Sequence, residues 1–150
     1  VAERLAEALD ADLEEIRESA DRRGMLGFIR GGRDAALNRP ADLVGHHTVE
    51  GRRTVLLGTP VWAGGPPPAV HAYLASVDLA DKTVCAFCTH NGSGGEKTLD
   101  ALAKSIPGGL AERADFKRPK AGDEDFRARL AEWIERVRPL AAPSEDGPGQ

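Results

Sequence analysis

The stretch from Thr54 to Leu74 reads as an apolar strand that runs into a Pro/Trp/Gly loop and then a helix. Val55, Leu56 and Leu57 form an unbroken apolar run, the pattern of a strand covered on both faces and hence of a parallel sheet. Pro60 to Gly65 then falls just beyond the carboxyl end of that strand, where open parallel sheets bind ligands. Gly64 and Gly65 let the backbone approach a flat ligand that a Cβ would block.

The same succession recurs downstream. Thr83 to Thr89 is a second buried strand, the segment from Thr89 to Thr98 a Gly/Ser loop, and Leu99, Leu102, Ala103 and Ile106 the inward face of a helix that Pro107, Gly108 and Gly109 end. The helix after Pro68 presents Val70, Tyr73, Leu74 and Val77 on one face. A weaker strand is predicted near Leu110 to Phe116, followed by a helix with Phe126, Leu130, Trp133, Ile134 and Val137 inward. Upstream, Val1, Leu5 and Leu9 mark an amphipathic helix, and a short strand is expected near Asp12 to Ile16. Residues 17–53 are charged and Gly-punctuated, with a short helix expected around Asp34 to Leu43, broken near Pro40. Strands alternating with helices imply βαβ units, so the fold class is α/β: a parallel sheet with helices on both faces and right-handed crossovers. One domain is expected over residues 1–140, with the Pro, Gly, Ser and acidic composition of 141–150 predicting a disordered tail.

With 150 residues the chain is long enough to bury its own core without disulfides or a structural metal. Its net charge is −4 and no Lys/Arg block is dense enough to follow a phosphodiester backbone, which argues against a nucleic acid partner. No run approaches the length of a transmembrane helix and no signal peptide opens the chain, so a reducing cytoplasm is the expected location. The first residue is Val1 rather than Met and already reads as mid-helix, so an upstream segment, a targeting signal included, is expected to be missing.

Two loops carry the candidate chemistry. In Thr59-Pro60-Val61-Trp62-Ala63-Gly64-Gly65, Trp62 either caps the core or stacks on a planar aromatic ligand, a contact worth on the order of 1 kcal/mol beyond area burial. In Thr89-His90-Asn91-Gly92-Ser93-Gly94-Gly95, free backbone N–H groups could bond a neutral heterocycle with carbonyl and imine acceptors. A Walker loop is rejected, because Glu96 stands where G-x-x-x-x-G-K-S/T requires Gly and its carboxylate would repel phosphate. A nucleophile elbow fails because Asn91 takes the first Gly position around Ser93, with His90 only three residues away. A phosphoacceptor receiver needs an Asp at the strand end, where this chain has Thr59 and Pro60. Cys85 and Cys88 make a C-x-x-C inside a strand, where residues three apart point to opposite faces; they read as small buried hydrophobes rather than a redox or zinc pair. His46, His47 and His71 have no carboxylate or thiolate at ligand spacing and read as surface residues, so no metal site is expected.

Taken together, Gly58 to Trp62, the helix entry Pro66 to Val70, and Val84 to Gly95 resemble the flavodoxin-like family, over nearly the whole chain to about Pro119. Met25 to Gly32 also looks like the segment before the third strand in bacterial flavodoxin-like proteins. The resemblance implies a doubly wound five-stranded sheet in the order 2-1-3-4-5 with flavin mononucleotide (FMN) at its carboxyl edge. It places the isoalloxazine ring between the loops after strands three and four, here Thr59 to Gly65 and Thr89 to Gly95. By analogy Trp62 contacts the ring, the Ala63, Gly64 and Gly65 backbone faces N5, and Thr89, His90, Asn91, Gly92, Ser93 and Gly94 take the remaining edge. The implied function is FMN-dependent redox chemistry, as an electron carrier with a protein partner or as a small NAD(P)H-dependent reductase. A cofactor-free flavodoxin-fold interaction module or a non-functional fragment is the alternative. Family members carry a first strand and a Ser/Thr-rich phosphate loop at a helix N-terminus, and this sequence begins inside that helix. Residues 1–150 alone are therefore expected to be unstable and to bind flavin poorly.

Overall fold

The computed structural model describes residues 1–17, 43–45 and 48–142. The described elements run α1 (Ala2–Leu9), β1 (Thr54–Pro60), α2 (Pro68–Ser76), β2 (Thr83–His90), α3 (Gly95–Ser105), β3 (Glu112–Lys117) and α4 (Glu124–Ala141). The three strands form one parallel sheet in the order β1-β2-β3. Thr54 pairs with Thr83 and Pro60 with Thr89, while Cys85 pairs with Glu112 and His90 with Lys117. In this register the strands end together, which brings the two candidate loops to one edge of the sheet.

Strand alternation sorts the central strand between two cores. Val84, Ala86 and Cys88 join Leu57, Val70, Tyr73, Leu99, Leu102 and Ile106 on the side of α2 and α3. Cys85 and Phe87 join Leu5, Phe116, Phe126, Leu130, Trp133 and Val137 on the side of α1 and α4. The two cysteines thus face opposite sides of the sheet, both fully buried and unpaired. The second core is aromatic, with the Phe87 and Trp133 rings edge-on at 5.8 Å and Phe116 and Phe126 at 5.5 Å. Gly58 makes room for this cluster, because a Cβ there would lie 2.3 Å from Phe87 Cζ.

The helices begin as their sequences dictate. Pro68 stands at the start of α2 behind Pro67, whose φ of −63° already suits a helix entry. At the start of α4 the Asp123 carboxylate accepts from the Phe126 N–H at 3.3 Å, and Glu124 and Asp125 complement the positive end of the helix.

The expected strand at Asp12 to Ile16 is not found: this segment carries no ladder. Its carboxyl end does meet one neighbour, where the Val44 N–H donates to the Arg17 carbonyl at 2.8 Å, and Ile16 and Leu43 pack against the first core. In the order 2-1-3-4-5 a second strand pairs only with the first. No strand among the described residues stands in that place, so the segment has apolar contacts without a ladder partner. The helix expected at Asp34 to Leu43 lies outside the described residues except for Leu43, which forms an isolated bridge. His46, His47 and residues 143–150 also lie outside them.

Candidate functional site

At the carboxyl end of β1 the chain keeps the ladder for one more step, with the Val61 N–H donating to the Thr89 carbonyl at 2.9 Å. It then reverses in four residues. The Trp62 N–H donates to Gly65 at 2.8 Å and the Gly65 N–H back to Trp62 at 2.9 Å, closing a small antiparallel bridge. Ala63 and Gly64, the central pair, have φ of 48° and 78°, the signature of a mirror-image turn. Gly64 takes this conformation freely, whereas Ala63 holds it at a cost of roughly 1–2 kcal/mol. Trp62 is half-buried and Thr59 is buried, its hydroxyl donating to the Pro60 carbonyl at 3.0 Å.

The second loop leaves β2 at Thr89 and enters α3 through Gly94, whose φ is +90° and which offers no side-chain cap. The first N–H groups of α3 are left uncapped by any side chain, and Glu96 lies in that first turn. Asn91, Gly92 and Ser93 are exposed. The connection after β3 holds the loop's entrance, with the Arg118 N–H on the His90 carbonyl at 2.8 Å and Arg118 Nε on the Asn91 carbonyl at 2.6 Å.

The two loops meet directly. A Cβ on Gly94 would stand 2.9 Å from Val61 Cγ1 and 3.3 Å from the Gly64 Cα, and one on Gly64 would come within 3.9 Å of Lys97 Nζ. Beneath them a buried imidazole meets a half-buried carboxylate: His90 Nε2 is 2.8 Å from Asp115 Oδ2, and the His90 side chain is only 6% exposed. A Cβ on Gly95 would lie 2.9 Å from that carboxylate oxygen and 3.0 Å from His90 Cδ2, so the first turn of α3 closes on the pair because residue 95 is glycine. His90 Nδ1 is buried without a partner, as is the Thr98 hydroxyl on α3. Such an atom costs about 1–3 kcal/mol while unsatisfied. Cys88 lies nearby, its thiol within 3.5 Å of the Gly95 carbonyl. Burial, then the Asp115 and Glu96 carboxylates, push that thiol up to about 11, and burial does the same at Cys85. Neither cysteine is a nucleophile near neutral pH.

The geometry thus brings together Thr59, Pro60, Val61, Trp62, Ala63, Gly64 and Gly65 with Thr89, His90, Asn91, Gly92, Ser93 and Gly94 at one edge of the sheet. It adds Asp115, Arg118 and Lys97, which sequence reasoning missed. Only the parallel register of β2 with β3 shows that Asp115 neighbours His90. No group of three or more His, Cys, Asp or Glu suited to a metal occurs among the described residues, and none of their helices is long and apolar enough to cross a membrane.

A family model described as flavodoxin matches residues 30–137. No curated protein matches the chain. Among solved structures, one from Bacteroides uniformis carrying the description "putative flavoprotein" superposes with a TM-score of 0.66 at 21% identity, covering 87% of this chain and 85% of the other. A second of the same description, from Bacteroides eggerthii, gives 0.60 at 19% identity, covering 87% and 86%. These likenesses agree with the fold built above, and the three described strands take the places of the third to fifth in the flavodoxin order. With the family model spanning most of its length, the chain belongs to the flavodoxin family.

Proposed function

We propose that this protein is an FMN-binding redox domain that holds the flavin ring between the β1–α2 and β2–α3 loops. The observation that carries the reading is the register in which the parallel strands end together, which brings two glycine-bearing loops to one edge of the sheet, Gly64 and Gly94 both with a left-handed φ. Backbone N–H groups at the start of α3, left uncapped by any side chain, fit a heterocycle with acceptors on its rim. Bound there, FMN supplies one- and two-electron chemistry.

The chain's own residues orient and shield it. Trp62 offers a half-buried aromatic face, and the closed Trp62 to Gly65 turn fixes the backbone that would bond the N5 side. The exposed Asn91 to Ser93 segment presents backbone groups to the other edge. Electron transfer with a partner protein and hydride uptake from NAD(P)H are both compatible with this arrangement, and the cytoplasm is the compartment that suits two free cysteines.

A second reading, a cofactor-free interaction module, is favoured by the direct contact of the two loops. Purified protein separates the two. Flavin absorbance retained through gel filtration, and lost in both Trp62→Ala and Gly94→Val, supports the first reading. Colourless protein whose fluorescence is unchanged by added FMN and riboflavin supports the second.

A further inference from the structure

His90 ends β2 and opens the candidate flavin loop, so whatever fixes its imidazole also fixes the loop's first residue. Asp115 accepts from Nε2 at 2.8 Å, which in the neutral imidazole sets the Nε2–H tautomer and leaves Nδ1 as a bare acceptor. The carboxylate is itself held, with Arg129 Nη2 2.8 Å from the Asp115 carbonyl and 3.8 Å from Oδ1. Gly95 seals the pair from above, the Arg118 N–H bonds the His90 carbonyl, and Nδ1 stays buried without a donor. The supply of donors next to it in sequence is the backbone of Asn91 to Gly95, in which Gly92 has nothing within 4 Å of its Cβ position and is free to turn.

We propose that the His90–Asp115 pair is a pH-sensitive positioning device, in which Nδ1 is the acceptor onto which a backbone N–H of the Asn91 to Gly95 loop closes when flavin binds. The inference rests on the flavin reading above. Protonation of the imidazole puts a hydrogen on Nδ1, where it opposes the loop N–H, so closure belongs to the neutral form. Asp115 is the charged group on the imidazole itself; the elements packed against it also carry Lys117 on β3, Arg118 beyond it, Glu96 and Lys97 on α3, and Arg129 of α4 acting on Asp115. His90 and Asp115 act through the loop and are positioning residues.

Riboflavin is the probe, because it carries no phosphate of its own to titrate. Its affinity for the full chain, read by fluorescence quenching, is expected to fall about tenfold as pH drops through the His90 midpoint. By reciprocity, saturating riboflavin lowers that midpoint by about one pH unit, read from the imidazole NMR signals. Asp115→Asn, which can donate to Nε2 and so reverse the tautomer, is expected to lose about tenfold in affinity at all pH values with little change in melting temperature. His90→Asn, which places an amide oxygen near the Nδ1 position, is expected to recover most of the affinity without the pH dependence. A pH-independent affinity with an unmoved His90 midpoint overturns the proposal and leaves the flavin reading intact. If riboflavin and FMN both fail to bind at every pH, the flavin reading falls and the proposal that rests on it falls with it.

Discussion

Gly94 is the residue at which the account of the two loops can be broken by a single methyl group. Its φ of +90° is a conformation that glycine adopts freely and an alanine does not, at a cost of about 1–2 kcal/mol. The added Cβ would also stand 2.9 Å from Val61 Cγ1 and 3.3 Å from the Gly64 Cα. Val61 can yield by turning its side chain, but the Gly64 backbone is held by the closed Trp62 to Gly65 turn. Overpacking of this kind costs roughly 1–3 kcal/mol, so Gly94→Ala should destabilise the chain by about 2–5 kcal/mol in all. Gly92 in the same loop is the control, with a φ outside the left-handed range and nothing within 4 Å of its Cβ position. Gly92→Ala should be neutral or slightly stabilising. At about 2–4 °C per kcal/mol for a chain of this size, thermal unfolding followed by circular dichroism should place Gly94→Ala roughly 4–20 °C below Gly92→Ala. Equal melting temperatures would refute the argument that the two loops are locked together at this glycine.

Three further outcomes follow from the packing and titration of the core. Gly58→Ala should cost about 1–3 kcal/mol or more in a denaturant titration, because its Cβ would meet the Phe87 ring at 2.3 Å, and an unchanged midpoint would contradict the packing of β1 on the aromatic core. Asp123→Ala should cost about 0.5–2 kcal/mol through loss of the α4 cap, and a variant as stable as the parent would show that the cap contributes nothing. Cys85 and Cys88 ionise near 11 when folded and near 9 when unfolded, so their contribution to stability is present below pH 9 and lost as pH rises towards 11. Folded protein should react with a thiol reagent far more slowly than denatured protein at neutral pH, and stability measured from pH 8 to about 11 should fall; stability that rises over that interval would contradict the burial of these thiols.

The parts of the fold that were legible in the sequence are those whose signal is local. Val55 to Leu57 and Val84 to Cys88 announce buried strands because both of their faces are covered, and the face Val70, Tyr73, Leu74 and Val77 turns inward at helical spacing as read. The opposite orientation of Cys85 and Cys88 follows from strand alternation alone. Asp12 to Ile16 misled because its apolar residues do pack, while a strand also needs a ladder partner that periodicity does not supply. The loops were legible by composition, but the bond from His90 to Asp115 spans 25 residues and exists only through the register of two parallel strands. Lys97 and Arg118 were invisible for the same reason, since their approach to the loops depends on how α3 and the turn after β3 are set against the sheet.

The central claim is that one flavin ring is held by two loops from neighbouring strands. Backbone NMR of the chain titrated with FMN tests it most directly. The account predicts shift changes concentrated at Thr59 to Gly65 and Thr89 to Gly95, with the Trp62 indole signal among those that move most. Changes confined to one loop, or centred on the β3–α4 side of the sheet, would contradict it.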